Sequence, residues 1–306
     1  MISLISPSEI KNTTSIGIGS FDGLHEGHRK LIESVVKENK HSPTIASFWP
    51  HPREILYKET RLRLDLPEEK LPLLESLGIE QLVLIPFDIT LSKMGPEDFV
   101  KNILLDQLQA KSISVGANFK FGYKRTGDIK TIKKITQDTD TKLKIVPILQ
   151  DENGRISSSR VRALLQNSDL YNAEKILKRP YSFSGKVVRG KGIGKEIGFP
   201  TANLEIDGRK FLPGEGVYAA WTTCKKNNES FQSVMNLGPQ PTINPLAPSA
   251  VEVHLIDKDI YLYNRKLTVK PVKKIRSQIK FENIEELSRQ IYQDKEAAKR
   301  ILNEFT

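Results

Sequence analysis

The sequence predicts two folded units in series: a parallel α/β domain over residues 1–180, then an antiparallel β domain over 181–306 that ends in one helix. Three observations carry this. Up to Pro180, short apolar runs alternate with longer helix-like stretches, the pattern of βαβ units. After Pro180 the runs become β-rich and are punctuated by Gly, Pro and Asn, the pattern of an antiparallel barrel or sandwich. The chain of 306 residues is twice the roughly 150 residues of a common domain, enough for two cores.

In the first half, strands are expected at 15–20, 44–49, 82–87, 112–116 and 143–148. Between two of them, 67–78 has an acidic first turn and a closing Gly78, as a helix would. Pro72 inside it argues against a regular helix, because proline is tolerated only near the first turn. In the second half, strands are expected at 185–189, 216–225, 231–236, 250–256 and 261–272. Ile284, Leu287, Ile291, Ala298 and Ile301 recur at mostly helical spacing, so a helix over 283–302 closes the chain. The joint falls near 179–183, with no long linker and no internal repeat.

Composition narrows the class. With 38% hydrophobic and 27% charged residues the chain is globular, neither fibrous nor disordered. No apolar run approaches the ~20 residues of a membrane span, and the single cysteine, Cys224, allows no intrachain disulfide and no cysteine-based metal site. A cytoplasmic protein is expected. The net charge of +10 is spread over both halves, which suits a polyanion and does not by itself separate RNA from a nucleoside triphosphate.

The sharpest local signal is Gly19-Ser-Phe-Asp-Gly-Leu-His-Glu-Gly-His28, placed after an expected strand and before a helix-like run. His25 and His28 stand three apart, so on a first helical turn they share a face, while Gly23 and Gly27 let phosphates approach the backbone. Amide donors, the positive helix end and two imidazoles could stabilise the charge that grows as pyrophosphate leaves an α-phosphorus. The alternatives are helix-capping histidines or a zinc site, the latter lacking a third nearby ligand. Arg155-Ile-Ser-Ser-Ser-Arg160-Val-Arg162 offers hydroxyls and guanidiniums ahead of a helical run, either a phosphate clamp or an N-capped helix with exposed arginines.

A second constellation is Arg189-Gly-Lys-Gly-Ile-Gly-Lys-Glu-Ile-Gly-Phe-Pro-Thr-Ala-Asn203, a loop rich in glycine and cations that runs into an expected strand. Its amides and lysines can fold over phosphates, and the neutral oxygens of Thr201 and Asn203 suit Mg²⁺. It has no Walker ending, and a mobile hairpin is the alternative. Glu252 is an acid in an otherwise apolar strand, facing with Ala250 and His254. It is either an exposed strand face or the base that a primary alcohol needs when it attacks a γ-phosphorus.

The His25–His28 stretch and Ile156-Ser-Ser-Ser-Arg160 resemble the paired signatures of nucleotidylyltransferases. Ser47-Phe-Trp-Pro-His-Pro52 and Val115-Gly-Ala-Asn-Phe-Lys-Phe-Gly-Tyr-Lys-Arg-Thr-Gly-Asp128 narrow the likeness to the bifunctional riboflavin kinase/FAD synthetase family. In the second half, Gly198-Phe-Pro-Thr-Ala-Asn203, Gly214-Glu-Gly-Val-Tyr218 and Arg276-Ser-Gln-Ile-Lys-Phe281 are similar to its riboflavin kinase domain. The resemblance covers nearly the whole chain. It implies a Rossmann-like adenylyltransferase domain followed by a β-barrel kinase domain, with riboflavin, FMN, FAD and ATP as ligands, Mg²⁺ as cofactor, and neither nucleic acid nor membrane as partner.

The same resemblance implies residue roles. His25 and His28 would contact ATP phosphates within a loop that includes Gly19, Phe21, Asp22 and Gly27. Asn118, Arg155, Ser158, Ser159 and Arg162 would orient ATP and the FMN phosphate, with His51 and Phe121 on the flavin side. By spacing alone, Phe119, Phe121 and Tyr123 read instead as one packed face of a strand. In the kinase half, Gly192, Gly194 and Lys195 belong to the phosphate loop. Thr201 and Asn203 would serve Mg²⁺ and ATP, Glu252 would be the base, and the segment around Arg276 would flap over the flavin. Ser159 stands where the family usually has threonine, and Gln240 where it usually has arginine. Two other readings are a nucleotidylyltransferase for a different acceptor and a basic RNA-binding or flavin-sensing module. Intact His25, His28, Thr201, Asn203 and Glu252 speak for catalysis, and no RNP-like aromatic motif speaks for RNA.

Overall fold

The computed structural model describes residues 2–190, 193–224, 229–239 and 249–304. It comprises two compact units, Met1–Glu59 with Asp65–Ser158 and Thr60–Leu64 with Ser159–Thr306.

The first unit is built on a six-stranded sheet of β1 (Ser3–Ile5), β2 (Thr14–Ile18), β3 (Ser42–Trp49), β4 (Gln81–Pro86), β5 (Ala110–Gly116) and β6 (Lys142–Val146). Its order is β1-β4-β3-β2-β5-β6 and every pair is parallel. A parallel sheet is covered on both faces, which is why all five residues of β2 are buried. Ile16, Ile18, Val83, Ile113 and Val115 pack on one face with Phe99, Val100 and Leu104. Ile45 and Leu82 pack on the other with Leu31, Ile32 and Val35 of the helix Glu26–Val36. Gly17 permits that close approach, since a Cβ there would lie 2.7 Å from Leu31 Cδ2. The chain leaves β2 toward β3 and β4 on one side and returns to β5 and β6 on the other. That reversal opens a crevice at the C-terminal end of β2, where such sheets bind ligands.

All five strands expected here form. The three-residue β1 is too short to give a periodic signal. The helix Pro67–Glu75 forms with Pro72 inside it, and Gly78 at φ 83° closes the turn that follows. The expected strand face of Phe119, Phe121 and Tyr123 does not form. Phe119 N donates to Gly116 O in a turn, Phe121 pairs only with Gly127, and left-handed residues at Gly122, Lys124 and Arg125 prevent extension.

In the second unit, β9 (Phe183–Val188), β10 (Ala202–Ile206), β11 (Gly216–Cys224), β12 (Glu229–Leu237), β13 (Ser249–Leu255) and β14 (Lys266–Arg276) close into an antiparallel barrel, numbered after β7 (Gln150–Asp151) and β8 (Gly154–Arg155), a small hairpin of the first unit. The barrel, not the sandwich, is the architecture. The helix Ile284–Asn303, capped by Asn283 Oδ1 accepting from Glu286 N, buries Ala298 and Leu302 against Val217, Ala219 and Val234. The strand expected from 261 starts at Lys266, because Asn264 at φ 62° turns the chain first. Thr60–Leu64 belongs to this unit: Arg63 N donates to Arg209 O and Phe211 N to Arg63 O, and Lys210 Nζ donates to Leu64 O at 2.6 Å.

Candidate active sites

The loop from β2 into the helix Glu26–Val36 is a strained turn. Phe21, Gly23 and Leu24 all take positive φ, at 45°, 87° and 44°, which costs the two non-glycine residues of order 1 kcal/mol or more each. Both are buried, so packing holds them there. The turn makes His25 the N-cap of the helix, with its Nδ1 accepting from His28 N at 3.4 Å. An accepting Nδ1 carries no proton, so the neutral ring presents Nε2–H as a donor. The two imidazoles stack 3.7 Å apart, and Phe21 packs against His28 at 5.2 Å. A Cβ on Gly27 would sit 3.2 Å from His25 Cε1, whereas one on Gly19 would make only ordinary contact with Phe21.

Burial, then the Arg155 charge, pushes His25 down to about 4. Burial, then the stacked His25 ring and the charges of Lys70 and Arg155, holds His28 well below the usual imidazole range. Both rings are therefore neutral at pH 7 and act as hydrogen-bonding groups, while the positive charge comes from Lys70 and Arg155. Lys70, 4% exposed, donates from Nζ to Ser20 O at 3.0 Å. Nothing in the sequence set it apart from a solvated lysine.

Asn118 and Arg155 come together: with the amide turned to accept, Asn118 Oδ1 takes bonds from Nη2 and Nη1 at 2.8 and 3.0 Å. Ser158 Oγ donates to Asp22 O at 2.7 Å, and buried Asp22 accepts from Asp65 N through Oδ1. His51 caps the helix Pro52–Leu56, its Nδ1 accepting from Arg53 N. Phe121 is buried in the core against Phe99 and Phe119. Ser159 and Arg162 fall in the second unit, where Arg162 Nε donates to Leu62 O at 2.8 Å.

The second site lies on the barrel. In the ladder Asn203 of β10 stands opposite Glu252 of β13, and Glu252 stands opposite Asn236 of β12 on its other side. The carboxylate is thus flanked by two amide side chains on one face. With Thr201 they line a cavity of about 250 Å³, whose other walls include Phe199, Val217, Val234, Phe281 and Ile291. Gly190 passes directly over this row, since a Cβ there would lie 2.0 Å from Asn203 Nδ2. Gly194 meets a similar constraint, 2.4 Å from Phe199 O. Gly192, the side chain of Lys195 and Gln240 lie outside the described residues.

Arg276 lines the cavity, but its guanidinium is engaged: Nε and Nη2 donate to Asp294 Oδ1 and Oδ2 at 2.9 and 2.8 Å, and Nη1 donates to Ser277 O. It ties the following segment to the last helix. Gln278 Nε2 then reaches Asn236 Oδ1 at 2.6 Å. Sequence reasoning missed Asn236, which the ladder sets opposite Glu252, and Gln278, which a side-chain bond brings to Asn236.

The sequence model of the FAD synthetase family matches residues 8–160, and that of the riboflavin kinase family matches residues 177–302. Curated relatives named bifunctional riboflavin kinase/FMN adenylyltransferase match almost end to end. The one from Buchnera aphidicola subsp. Schizaphis graminum is 34% identical over 96% of both chains. Those from Escherichia coli K12 and Bacillus subtilis 168 are 33% and 32% identical, covering 92% and 96% of this chain and 90% and 94% of theirs. A crystal structure named macrolide-efflux protein, from Streptococcus pneumoniae, superposes with a TM-score of 0.83 at 26% identity over 97% of this chain and 98% of its own. The fold is what that likeness shares; the efflux in its name is not carried over.

Proposed function

The chain belongs to the bifunctional riboflavin kinase/FMN adenylyltransferase family, and from that premise we propose which residues carry each of its two reactions. The enzyme phosphorylates riboflavin with ATP to give FMN, then joins FMN to the adenylyl group of a second ATP to give FAD and pyrophosphate. The adenylyl transfer is assigned to 1–180 and the kinase to 181–306.

In adenylyl transfer an FMN phosphate oxygen attacks the α-phosphorus of ATP as the bond to the β-phosphate breaks. That nucleophile is already anionic, so no general base is required. The work left is to orient the reactants and stabilise charge on the leaving pyrophosphate. The neutral His25 and His28 can do this as hydrogen-bond donors, the charges of Lys70 and Arg155 as fixed partners, and Asn118 as the group that holds Arg155. Gly19, Phe21, Asp22 and Gly27 shape the loop. Ser158, Ser159 and Arg162 are assigned to the phosphates, and His51 and Phe121 to the flavin side.

In the kinase reaction the riboflavin 5′-hydroxyl attacks the γ-phosphorus, its proton passes to Glu252, and ADP leaves. ATP-dependent enzymes of both kinds use a divalent metal with the nucleotide, and Mg²⁺ is the ion we assign. The donor set fits it: the Thr201 hydroxyl and the Asn203 amide oxygen are hard oxygen ligands. Among the described residues no three His, Cys, Asp or Glu side chains form a metal cluster. When bound, the ion neutralises triphosphate charge. Gly192, Gly194 and Lys195 are assigned to the phosphate loop, and Arg276 to anchoring the flap. Among the described residues no helix is long and apolar enough to cross a membrane, and the cytoplasm is the proposed compartment.

The observation that carries this division is that the two compact units hold different clusters: the stacked histidine pair with Lys70 and Arg155 in one, Glu252 between Asn203 and Asn236 in the other. Incubation of the purified protein with riboflavin, ATP and Mg²⁺, followed by chromatography of the flavins, tests it. FMN and then FAD should appear, with ADP from the first step and pyrophosphate from the second. Accumulation of FMN with no FAD would refute the assignment of adenylyl transfer to 1–180.

A further inference from the structure

We propose that His254 is a positioning residue of the kinase site: its Nδ1–H holds the Pro200 carbonyl and so fixes Thr201 and Asn203 beside Glu252. This deepens the reading above and rests on its assignment of Thr201 and Asn203 to nucleotide and metal.

The argument begins with the ladder. β10 starts at Ala202, opposite Val253, and Asn203 stands opposite Glu252. Continued by one residue, the register would set Thr201 opposite His254, but Thr201 is outside the strand and no ladder pair holds it. Pro200 before it has no N–H to give. A side-chain bond stands where the next backbone pair would be: His254 Nδ1 lies 2.9 Å from Pro200 O. A carbonyl only accepts, so Nδ1 carries the proton.

His254 is 8% exposed and lies two residues from Glu252, hence on the same face of β13 and on the wall of the same cavity. The turn it grips is braced from the other side as well. Phe199 packs edge-on to the imidazole at 5.7 Å, and Phe199 N donates to Gly194 O at 2.7 Å. The imidazole therefore joins the base strand to the turn that presents Thr201. No change in its protonation is needed for this role.

The test uses the full-length enzyme. His254→Phe keeps a ring and removes the donor; His254→Leu also removes the donor, without a ring and with less bulk, and serves if the phenylalanine variant loses FMN adenylylation, the sign of a folding defect. His254→Asn restores a donor near the Nδ1 position. Loss of the donor should raise the kinase KM for ATP by about 10–100-fold, the usual effect of removing a group that orients a ligand-binding side chain, with a smaller change in kcat. His254→Asn should recover most of it. Hydrogen exchange supplies a readout independent of turnover: the peptide over 194–203 should exchange faster in the phenylalanine or leucine variant and lose its protection by ADP with Mg²⁺. An unchanged KM and unchanged exchange in that peptide would overturn the proposal. Thr201→Ala in the same assays separates the two levels. If it leaves the KM at the wild-type value, the assignment of Thr201 fails; if it raises the KM while His254→Phe does not, the role of His254 alone fails.

Discussion

At the scale of single residues, Glu252 carries the sharpest expectation. Glutamine keeps its shape and its place between Asn203 and Asn236 but cannot take a proton. Glu252→Gln should lower riboflavin phosphorylation by the ~10²–10⁴-fold that general-base catalysis contributes, while conversion of supplied FMN to FAD holds. Near-normal FMN formation would reduce Glu252 to a strand-face carboxylate. The histidines set a pH dependence. His25 titrates near its ordinary value when unfolded and at about 4 when folded, so between these values the unfolded chain binds more protons. Its contribution is fully present above about pH 6.5 and is lost as the pH falls toward 4, a loss on the order of 3 kcal/mol. Urea unfolding at pH 7 and pH 4.5 should show the drop, and it should shrink in His25→Gln. The histidine pair and Glu252 were legible because their residue types are rare in their local patterns. Lys70 and His254 were not, because what distinguishes them is burial and a partner 50 or 54 residues away in the chain.

At the scale of elements, what matters is how closely backbone passes over the site's side chains. Gly190 is the clearest case: any Cβ would strike the Asn203 amide. Gly190→Ala should leave the barrel folded, displace Asn203, and impair the kinase reaction alone; melting curves and the two activity assays would decide. A variant with normal kinase turnover would show that Asn203 needs no fixed position. The alternation of short apolar runs and helices was enough to give β2 to β6, and the β-rich texture gave most of the barrel. Texture alone left barrel and sandwich open, since closure depends on the pairing of β9 with β14, some 80 residues apart in the chain; the family resemblance chose the barrel. Period 2 was right that Phe119 and Phe121 pack together and wrong that they lie on a strand with Tyr123, because it cannot reveal three left-handed residues nearby.

At the scale of the whole molecule, the segment Thr60–Leu64 and the helix Leu170–Leu177 count with the barrel, which bears on where a kinase fragment can begin. A fragment over 181–306 lacks Leu64 O, one acceptor of the buried Lys210 ammonium, and it lacks Leu165 O, the acceptor of Gly214 N, and Ser168 Oγ, one of two partners of Tyr218 OH beside Gly214 O. A fragment over 159–306 restores the last two. It should melt at a clearly higher temperature than 181–306, as followed by circular dichroism; equal melting points would show that these contacts add nothing. The central claim is that one chain holds two separable sites acting in sequence. Its most direct test is a time course of riboflavin, FMN and FAD by chromatography, with saturating ATP and Mg²⁺, for His28→Ala and Glu252→Gln side by side. The account predicts that His28→Ala accumulates FMN without FAD, whereas Glu252→Gln makes little FMN from riboflavin yet converts supplied FMN to FAD at the wild-type rate. Loss of both activities in either folded variant would contradict it.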